Sequence, residues 1–377
     1  MNIIAHFDEI FLKGSNQKHF ISKLIKNLEF LFTGIKVSRI ESGLWIENFK
    51  DTELPRLGLI AGIANFAPAW LVKPDLKEII TLVESQNWGE NIKTFRVKAE
   101  RSDKNFLLTS IELEKEVGSA MNIKFGYKVQ LKDPEFNLHI NIAKDRAIVF
   151  GNTVPGAGGL PTGTAGKVLC LLSGGIDSPI AAYQMMRRGA TIELVHFQNQ
   201  TKVTQEVSQK IIDLAEVLSR YQGKITLHIV PFEHWQKQTV MKVPSDYRML
   251  ITRRLMFKIS EIIADKVDAK ALVTGDSLGQ VASQTLENLE VVYSATNMLK
   301  LSPLIGANKI DIMNLARKIG TLEISNRPYE DCCSLFVSKH PQTKARQKEI
   351  ENIERNLDFS QLKDTPYMSY KIGMTKA

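Results

Sequence analysis

The spacing of apolar residues divides the first part of the chain into short alternating segments. Apolar positions recur every three or four residues between 15 and 32, which predicts an amphipathic helix. Period-two alternation on both sides of Ser42 and Gly43 predicts a hairpin. The full pattern predicts, in order, a strand, this helix, the two hairpin strands, a short helix and a strand, at residues 1–6, 15–32, 36–41, 44–47, 54–59 and 64–72. This β-α-β-β-α-β order predicts a small α+β unit.

A second block of mixed helices and strands follows. Its pattern predicts a helix, a strand, a second helix and two strands, at residues 75–85, 94–99, 109–121, 137–142 and 147–150. Asp75 and Thr109 suit the capping positions that precede the two helices. Residues 152–166 then contain five glycines and two prolines, a composition typical of a linker.

Beyond the linker, apolar strands alternate with helical patterns. The predicted strands lie at 167–172, 191–197, 224–230, 271–274 and 299–304. The predicted helices lie at 179–188, 203–221, 247–264, 282–291 and 310–319. Strict strand–helix alternation predicts a doubly wound parallel sheet. The fold class is therefore a multidomain chain of α+β and α/β type, with domain boundaries predicted at 1–72, 73–166 and 167–377.

Composition and charge narrow the class of protein. Hydrophobic residues make up 44% and charged residues 24% of the 377 residues, as in ordinary globular chains. The uncharged stretch 57–72 is too short and too broken by glycine and proline to span a bilayer. Acidic Asp8 and Glu9 stand where a signal peptide needs apolar residues, and three cysteines cannot form a disulfide framework, so we expect a cytoplasmic protein. The net charge of +8 permits a polyanionic partner without requiring one.

The most informative segment is LLSGGIDSP at 171–179, which joins a buried strand to a helix. Pro179 suits the first helical position, with Ser178 as the cap. Ser173, Gly174 and Gly175 allow a tight turn at the positive end of the helix, which is a cradle for phosphate. An ordinary strand–helix turn is the alternative.

This segment resembles the PP-loop of ATP pyrophosphatases, which bind the pyrophosphate end of ATP and adenylate a substrate. Other motifs resemble the tRNA 4-thiouridine synthetase (tRNA sulfurtransferase) family and keep its order. They are DEIFLKG at 8–14 with Asn16, PGAGGLP at 155–161, Arg253 with Arg254, TGDSLGQVASQT at 274–285 and PLIG at 303–306. The resemblance runs nearly end to end and implies a ferredoxin-like domain, a THUMP RNA-binding domain with linker, and a PP-loop domain.

The resemblance also implies the residues of the site. The implied ATP-binding residues are Leu171, Leu172, Ser173, Gly174, Gly175, Ser178, His196, Phe197, Arg253, Gly275 and Gln284. His196 and Phe197 would face the adenine. Asp177 would orient Mg²⁺ on the phosphates, and Lys309 would neutralise pyrophosphate. Taken without the resemblance, these residue types are more typical of a core histidine, a solvated arginine, a turn glycine, a helix-start carboxylate and a surface lysine.

Two adjacent cysteines, Cys332 and Cys333, form the second candidate centre. They lack the spacing of a zinc site, and adjacent Cα atoms lie about 3.8 Å apart, closer than the roughly 4.4 Å that disulfides need. A buried apolar role or a nucleophile remains. In the family a cysteine of this segment carries the persulfide sulfur, which the resemblance places on Cys333, with Cys332 as the alternative. Too few residues follow Cys333 for the rhodanese domain that some members carry, so we expect the short form.

The resemblance implies an ATP-dependent enzyme that makes 4-thiouridine at position 8 of tRNA. Its expected partners are tRNA, a cysteine desulfurase as sulfur donor and a sulfur-carrier protein of thiamine biosynthesis. The protein is expected to form a homodimer and not to associate with a membrane. No resident metal is predicted; ATP and Mg²⁺ are the expected cofactors. Two alternatives are a PP-loop ligase or amidating enzyme acting on a small molecule, and an RNA-binding protein whose pyrophosphatase site has decayed.

Overall fold

The structure is a computed structural model that describes residues 1–7, 9–199, 208–328 and 340–373. The chain forms two compact units, Met1–Gly159 and Leu160–Ala377. Each unit has its own sheet, and each is described by itself below.

The first unit is built on a nine-stranded sheet with the strand order β2-β3-β1-β4-β8-β7-β5-β6, in which β9 also pairs with β4. Its strands are β1 (Ile3–His6), β2 (Lys36–Ile40), β3 (Gly43–Glu47), β4 (Asn65–Val72), β5 (Thr94–Arg101), β6 (Lys128–Val129), β7 (Phe136–Ile142), β8 (Ala147–Phe150) and β9 (Val154–Pro155). Its helices are α1 (Gln17–Leu31), α2 (Leu54–Leu57), α3 (Leu76–Ser85) and α4 (Ser110–Phe125), with short 3-10 helices at Glu9–Asn16 and Asp51–Glu53. The predicted order of elements in residues 1–72 is thus confirmed.

The helix starts in this unit follow the capping residues of the sequence. The Asp75 side chain accepts a hydrogen bond from the backbone N–H of Glu78 at 3.1 Å and so caps α3. Thr109 and Glu112 form a reciprocal capping box at the start of α4, which ends at Gly126 with φ 72°. Each cap satisfies backbone N–H groups that have no partner inside the helix, which is why the predicted starts hold.

The second unit is built on a six-stranded sheet with the strand order β14-β13-β10-β11-β12-β15. Its strands are β10 (Lys167–Leu171), β11 (Thr191–Gln198), β12 (Lys224–Pro231), β13 (Ala271–Val273), β14 (Leu299–Leu301) and β15 (Met368–Gly373). Its helices are α5 (Asp177–Arg187), α6 (Gln209–Gln222), α7 (Glu233–Lys242), α8 (Arg248–Lys266), α9 (Leu286–Tyr293), α10 (Lys309–Ile319), α11 (Leu322–Ser325) and α12 (Gln347–Glu354). The five strands from β10 to β14 pair in parallel, which confirms the predicted doubly wound sheet.

The structure differs from the local expectations for this unit at one predicted helix and at one strand that was not predicted. The strand β15 pairs antiparallel with β12 and was not predicted, because its side chains are mostly exposed and show no buried alternation. The helix predicted at 282–291 is a 3-10 helix followed by α9, since Thr285 interrupts it and caps α9 by accepting from the Asn288 N–H at 3.2 Å. The predicted helix 203–221 begins among residues outside the described ranges, and α6 covers its later part.

Candidate active site

A cavity of 540 Å³ opens at the carboxyl ends of β10 and β13. The chain runs from β10 outward to β12 on one side and places β13 on the other side of β10. Adjacent connections therefore leave in opposite directions between these two strands, which creates the crevice where doubly wound sheets bind ligands. The volume lies within the usual range for small-molecule sites, roughly 300–1,000 Å³.

The loop after β10 is closed by its own hydroxyl groups. Ser178 was expected to cap α5, but α5 begins at Asp177 with Ile176 in the capping position, so this expectation was wrong. The Ser178 hydroxyl instead accepts from the backbone N–H of Ser173 at 2.9 Å and lies 3.0 Å from the Ser173 hydroxyl. The Gly175 N–H in turn donates to the Ser173 hydroxyl at 3.3 Å. Both serine hydroxyls therefore hold the turn at the start of α5.

Asp177, in the first turn of α5, joins three separate segments. Its Oδ1 accepts from Lys309 Nζ at 2.6 Å, and its Oδ2 accepts from Gln280 Nε2 at 2.9 Å. Lys309 is the first residue of α10 and its side chain is 44% exposed. Asp177 and Lys309 were predicted separately as site residues, and the structure brings their side chains together. Gln280 is a further partner of Asp177 that the sequence analysis did not identify.

Gly275 has a steric reason to be glycine. A Cβ atom there would lie 2.7 Å from the Ser178 backbone nitrogen and 2.9 Å from the Asp177 carbonyl carbon. Backbone atoms cannot move aside as a flexible side chain can, so only glycine allows the end of β13 to approach the start of α5 so closely. This contact holds the two sides of the crevice together.

A buried carboxylate lies on the β13 side of the cavity. Arg253 NH2 donates to both oxygens of Asp276, at 2.7 and 2.6 Å, and Gln284 Nε2 donates to Oδ1 at 3.0 Å. Oδ2 also accepts from the hydroxyls of Thr274, at 2.8 Å, and Tyr293, at 2.9 Å. The Asp276 side chain is only 6% exposed.

These contacts keep Asp276 ionised. Burial alone would raise the pKa of the carboxyl, but the Arg253 charge and the hydrogen bonds from Thr274, Tyr293 and Gln284 outweigh it and lower the pKa below its ordinary value. Burial and the Asp276 charge raise the pKa of Tyr293, so its hydroxyl remains a donor. The result is a fixed negative charge beside the cavity with an arginine paired to it.

Helix α8 contributes apolar side chains to another part of the cavity wall. Met249, Leu250, Met256 and Phe257 line it from α8. A mostly apolar wall with a few convergent polar groups is the usual composition of a site for a planar organic ligand.

The cavity wall includes seven of the residues that the sequence singled out. They are Leu171, Ser173, Asp177, Ser178, Arg253, Gly275 and Gln284. The side chains of Leu172, His196 and Phe197 are buried instead. His196 Nδ1 lies 2.8 Å from the Leu172 carbonyl oxygen, and the Phe197 ring packs against Phe232 at 5.2 Å. Gly174 is buried and Gly175 exposed in the loop.

The structure describes only one of the three cysteines, Cys170. Cys332 and Cys333 lie outside the described residues. Cys170 is buried within β10, where burial raises the pKa of its thiol. A neutral thiol is a poor nucleophile, so Cys170 packs as a small apolar side chain.

Asp276, Gln280 and Tyr293 are the site residues that sequence reasoning passed over as individual side chains. Asp276 and Gln280 stand inside the quoted motif at 274–285, so the motif itself carried the signal. Tyr293, at the end of α9, carried none, because only packing brings its hydroxyl to Asp276.

The described residues contain neither a cluster of potential metal ligands nor a membrane-spanning helix. Within the ranges that the structure describes, no group of three or more histidine, cysteine, aspartate or glutamate side chains could hold a metal ion. Within the same ranges, no helix is both long and apolar enough to cross a bilayer.

A parallel sheet, a Ser-Gly-Gly turn into a helix and a cavity at the switch point define the class of PP-loop domains. The comparisons with known proteins agree. The family model described as "Thiamine biosynthesis protein (ThiI)" matches residues 163–359, a THUMP domain matches 73–151, and a ThiI ferredoxin-like domain matches 2–67. Our own boundaries at 1–72, 73–166 and 167–377 stay predictions.

Similar proteins cover nearly the whole chain. A probable tRNA sulfurtransferase of Caldanaerobacter subterraneus subsp. tengcongensis is 39% identical over 96% of this chain and 97% of its own length. One from Thermoanaerobacter sp. (strain X514) is 40% identical over the same shares. The crystal structure of a 4-thiouridine synthetase–RNA complex with bound ATP matches with a TM-score of 0.88 at 35% identity, covering 98% of this chain and 99% of that one. The chain therefore belongs to the tRNA sulfurtransferase family, which confirms the resemblance.

Proposed function

We propose that this chain uses ATP to convert a uridine of tRNA, at position 8, to 4-thiouridine. The observation that carries the proposal is the cavity at the switch point, where the loop of Ser173 and Ser178 meets Arg253 and Gln284. The similar 4-thiouridine synthetase was crystallised with RNA and ATP, which supports the same two ligands here. The fold places the THUMP match outside the unit that holds the cavity, so we assign tRNA binding chiefly to the first unit.

The proposed chemistry has two halves. ATP adenylates O4 of the uridine and releases pyrophosphate, which turns a poor leaving group into a good one. The terminal sulfur of a persulfide on Cys333 then attacks C4, and AMP leaves. A second thiol supplies the two electrons that break the sulfur–sulfur bond and leave sulfur on C4. Cys332 is the alternative carrier.

Residues at the cavity support the first half. The start of α5 presents the positive end of a helix to the phosphates, and the loop of Ser173, Gly174 and Gly175 is the proposed cradle. Lys309 would neutralise the departing pyrophosphate, since it already lies beside Asp177. Leu171 and Leu172 would border the nucleotide.

His196 and Phe197 have a narrower proposed role. Their side chains are buried, so any contact with the adenine would come from the main chain at the end of β11. Ligands of doubly wound sheets commonly lie over such strand ends, which supports the placement.

Mg²⁺ fits this site as a companion of ATP. Magnesium in proteins is usually held by one or two carboxylates together with substrate phosphates. Asp177 is the carboxylate that would hold it, in exchange for a contact to Lys309 or Gln280. The ion would neutralise charge on the phosphates.

The partners remain proposals from the resemblance. A cysteine desulfurase would load the persulfide. A thiamine sulfur-carrier protein would be a second acceptor, which the name of the matching family, thiamine biosynthesis protein, supports. A homodimer and a cytoplasmic location belong to the same set of predictions.

Separate assays of the two halves test the proposal. With tRNA and ATP, Cys333→Ser should release pyrophosphate but form no 4-thiouridine when a desulfurase and labelled sulfur are supplied. Cys332→Ser should retain substantial thiolation. Thiolation by the double variant would refute the covalent route. A rate of pyrophosphate release that is the same with and without tRNA would favour an enzyme acting on a small molecule.

A further inference from the structure

Asp276 accepts hydrogen bonds from four side chains and has no capacity left for a ligand. A carboxylate offers about four lone-pair positions. Arg253, Gln284, Thr274 and Tyr293 occupy them at 2.6–3.0 Å. A saturated carboxylate neither coordinates a metal nor takes a proton from a substrate, so its influence must pass through its donors.

Three of those donors, Arg253, Gln284 and Thr274, line the cavity. Asp276 and the Ser283 carbonyl oxygen, which accepts from NH1 at 3.1 Å, hold the two terminal nitrogens of the Arg253 guanidinium. Among the described residues, Nε of Arg253 has no acceptor. The guanidinium is therefore fixed by one edge, and its other edge remains available.

The same carboxylate orients Gln284. Because Asp276 only accepts hydrogen bonds, the amide nitrogen of Gln284 must face it. The amide oxygen then points away, and within the described ranges Oε1 is buried without a hydrogen-bond partner. An unpaired buried acceptor is costly unless a ligand donates to it.

We propose that Asp276 is a positioning residue for ATP, which fixes Arg253 as a donor and Gln284 as an acceptor in the nucleotide site. The inference rests on the proposed function, because it takes ATP as the ligand. Tyr293 and Thr274 belong to the same arrangement, since their hydroxyls donate to Oδ2 of the carboxylate.

The main test is Asp276→Asn, which keeps the shape and removes the charge. KM for ATP in pyrophosphate release should rise about tenfold, as expected when a charge-assisted hydrogen bond is lost. KM for tRNA should stay unchanged. Partial unfolding would lower kcat and leave both KM values alone, so that result would overturn the proposal.

A double-variant cycle with Arg253→Met shows whether Asp276 acts through Arg253. The loss in kcat/KM for the double variant should be much smaller than the product of the two single losses. Losses that multiply would overturn the proposal. Glu354→Gln is the matched control, because it removes a buried carboxylate from the neighbouring Arg254 away from the cavity; both of its KM values should equal those of the unchanged chain.

Tyr293→Phe keeps the proposal testable if Asp276→Asn does not fold. It removes one donor to the carboxylate and keeps the ring, and KM for ATP should rise about threefold. An unchanged KM in this variant would contradict the proposed role.

Direct ATP titration without tRNA separates this proposal from the proposed function. A chain that binds ATP but releases no pyrophosphate with tRNA would refute the function, while the effect of Asp276→Asn on ATP affinity would still be measured.

Discussion

Arg253 and Arg254 are consecutive in α8, and each pairs with a buried carboxylate in a different setting. Arg253 pairs with Asp276 on the cavity wall, where its side chain is 14% exposed. Arg254 donates from Nε and NH2 to the two oxygens of Glu354, both at 2.9 Å, and is 4% exposed. Its NH1 donates to the Ser294 hydroxyl and the Val291 carbonyl.

The difference is what each pair leaves unsatisfied. The Arg254 pair uses all three guanidinium nitrogens on protein partners and ties α8 to α9 and α12. The Arg253 pair leaves two polar atoms without a hydrogen-bond partner among the described residues, Nε of Arg253 and Oε1 of the neighbouring Gln284. The same chemical pair thus serves packing where protein surrounds it and can serve binding where a cavity adjoins it.

The largest effect should come from a third, exposed pair at the cavity, Asp177 with Lys309. Asp177→Ala should lower pyrophosphate release by at least about a thousandfold, because the carboxylate that would hold Mg²⁺ at the phosphates is lost. The free energy of unfolding should change by less than about 1 kcal/mol, as for other partly exposed pairs. Asp145→Ala, which removes an exposed carboxylate 3.4 Å from Arg146, should change neither quantity. Near-normal release by Asp177→Ala would break the link between the cavity and adenylation.

Glu354→Gln should produce the opposite result. Removing one partner of a buried ion pair should lower the free energy of unfolding by about 3 kcal/mol, because Arg254 and nearby Lys258 lose their counter-charge. Urea unfolding of the full chain measures it. The kinetic constants per folded molecule should not change. A shift in KM for ATP would show that the two pairs are coupled and that the contrast drawn here fails.

Matched lysine substitutions sharpen the contrast most directly. Lysine keeps the charge and loses the planar fork of the guanidinium. Arg253→Lys should lower kcat/KM for ATP about tenfold with a small change in melting temperature. Arg254→Lys should lower the melting temperature and leave the kinetic constants unchanged. Equal effects of the two substitutions on either quantity would argue against separate roles.

The smallest effect should appear in acid. The pKa of Asp276 lies below its ordinary value of about 3.9, so in the interval between the two values the unfolded chain binds the extra proton. Stability from this carboxylate is therefore full above about pH 4 and is lost as the pH falls through the lower, folded value. The gap in unfolding free energy between the unchanged chain and Asp276→Asn should stay constant from about pH 7 to pH 5 and close below about pH 4. A gap that narrows near neutral pH would mean that Asp276 is not held ionised.

The sequence alone indicated most of the elements and their order, although it did not predict α7, α12 and β15. Apolar spacing and capping residues are local signals, so α3 begins after Asp75 and α4 after Thr109, as the pattern predicted. Strand–helix alternation likewise determined the parallel sheet. The motif at 171–179 located the loop because a tight turn between a buried strand and a helix depends on residues that are adjacent in the sequence.

Only the tertiary structure decided what the charged side chains do. Consecutive helix residues point about 100° apart, so the sequence shows that Arg253 and Arg254 face different ways but not which one meets the cavity. The contacts of Asp276 come from four segments that the sheet brings together, and Tyr293 reaches it only through packing. The exposed edge strand β15 left no apolar alternation to read. Local periodicity is encoded in neighbouring residues, whereas the partner of a buried charge depends on residues far apart in the chain.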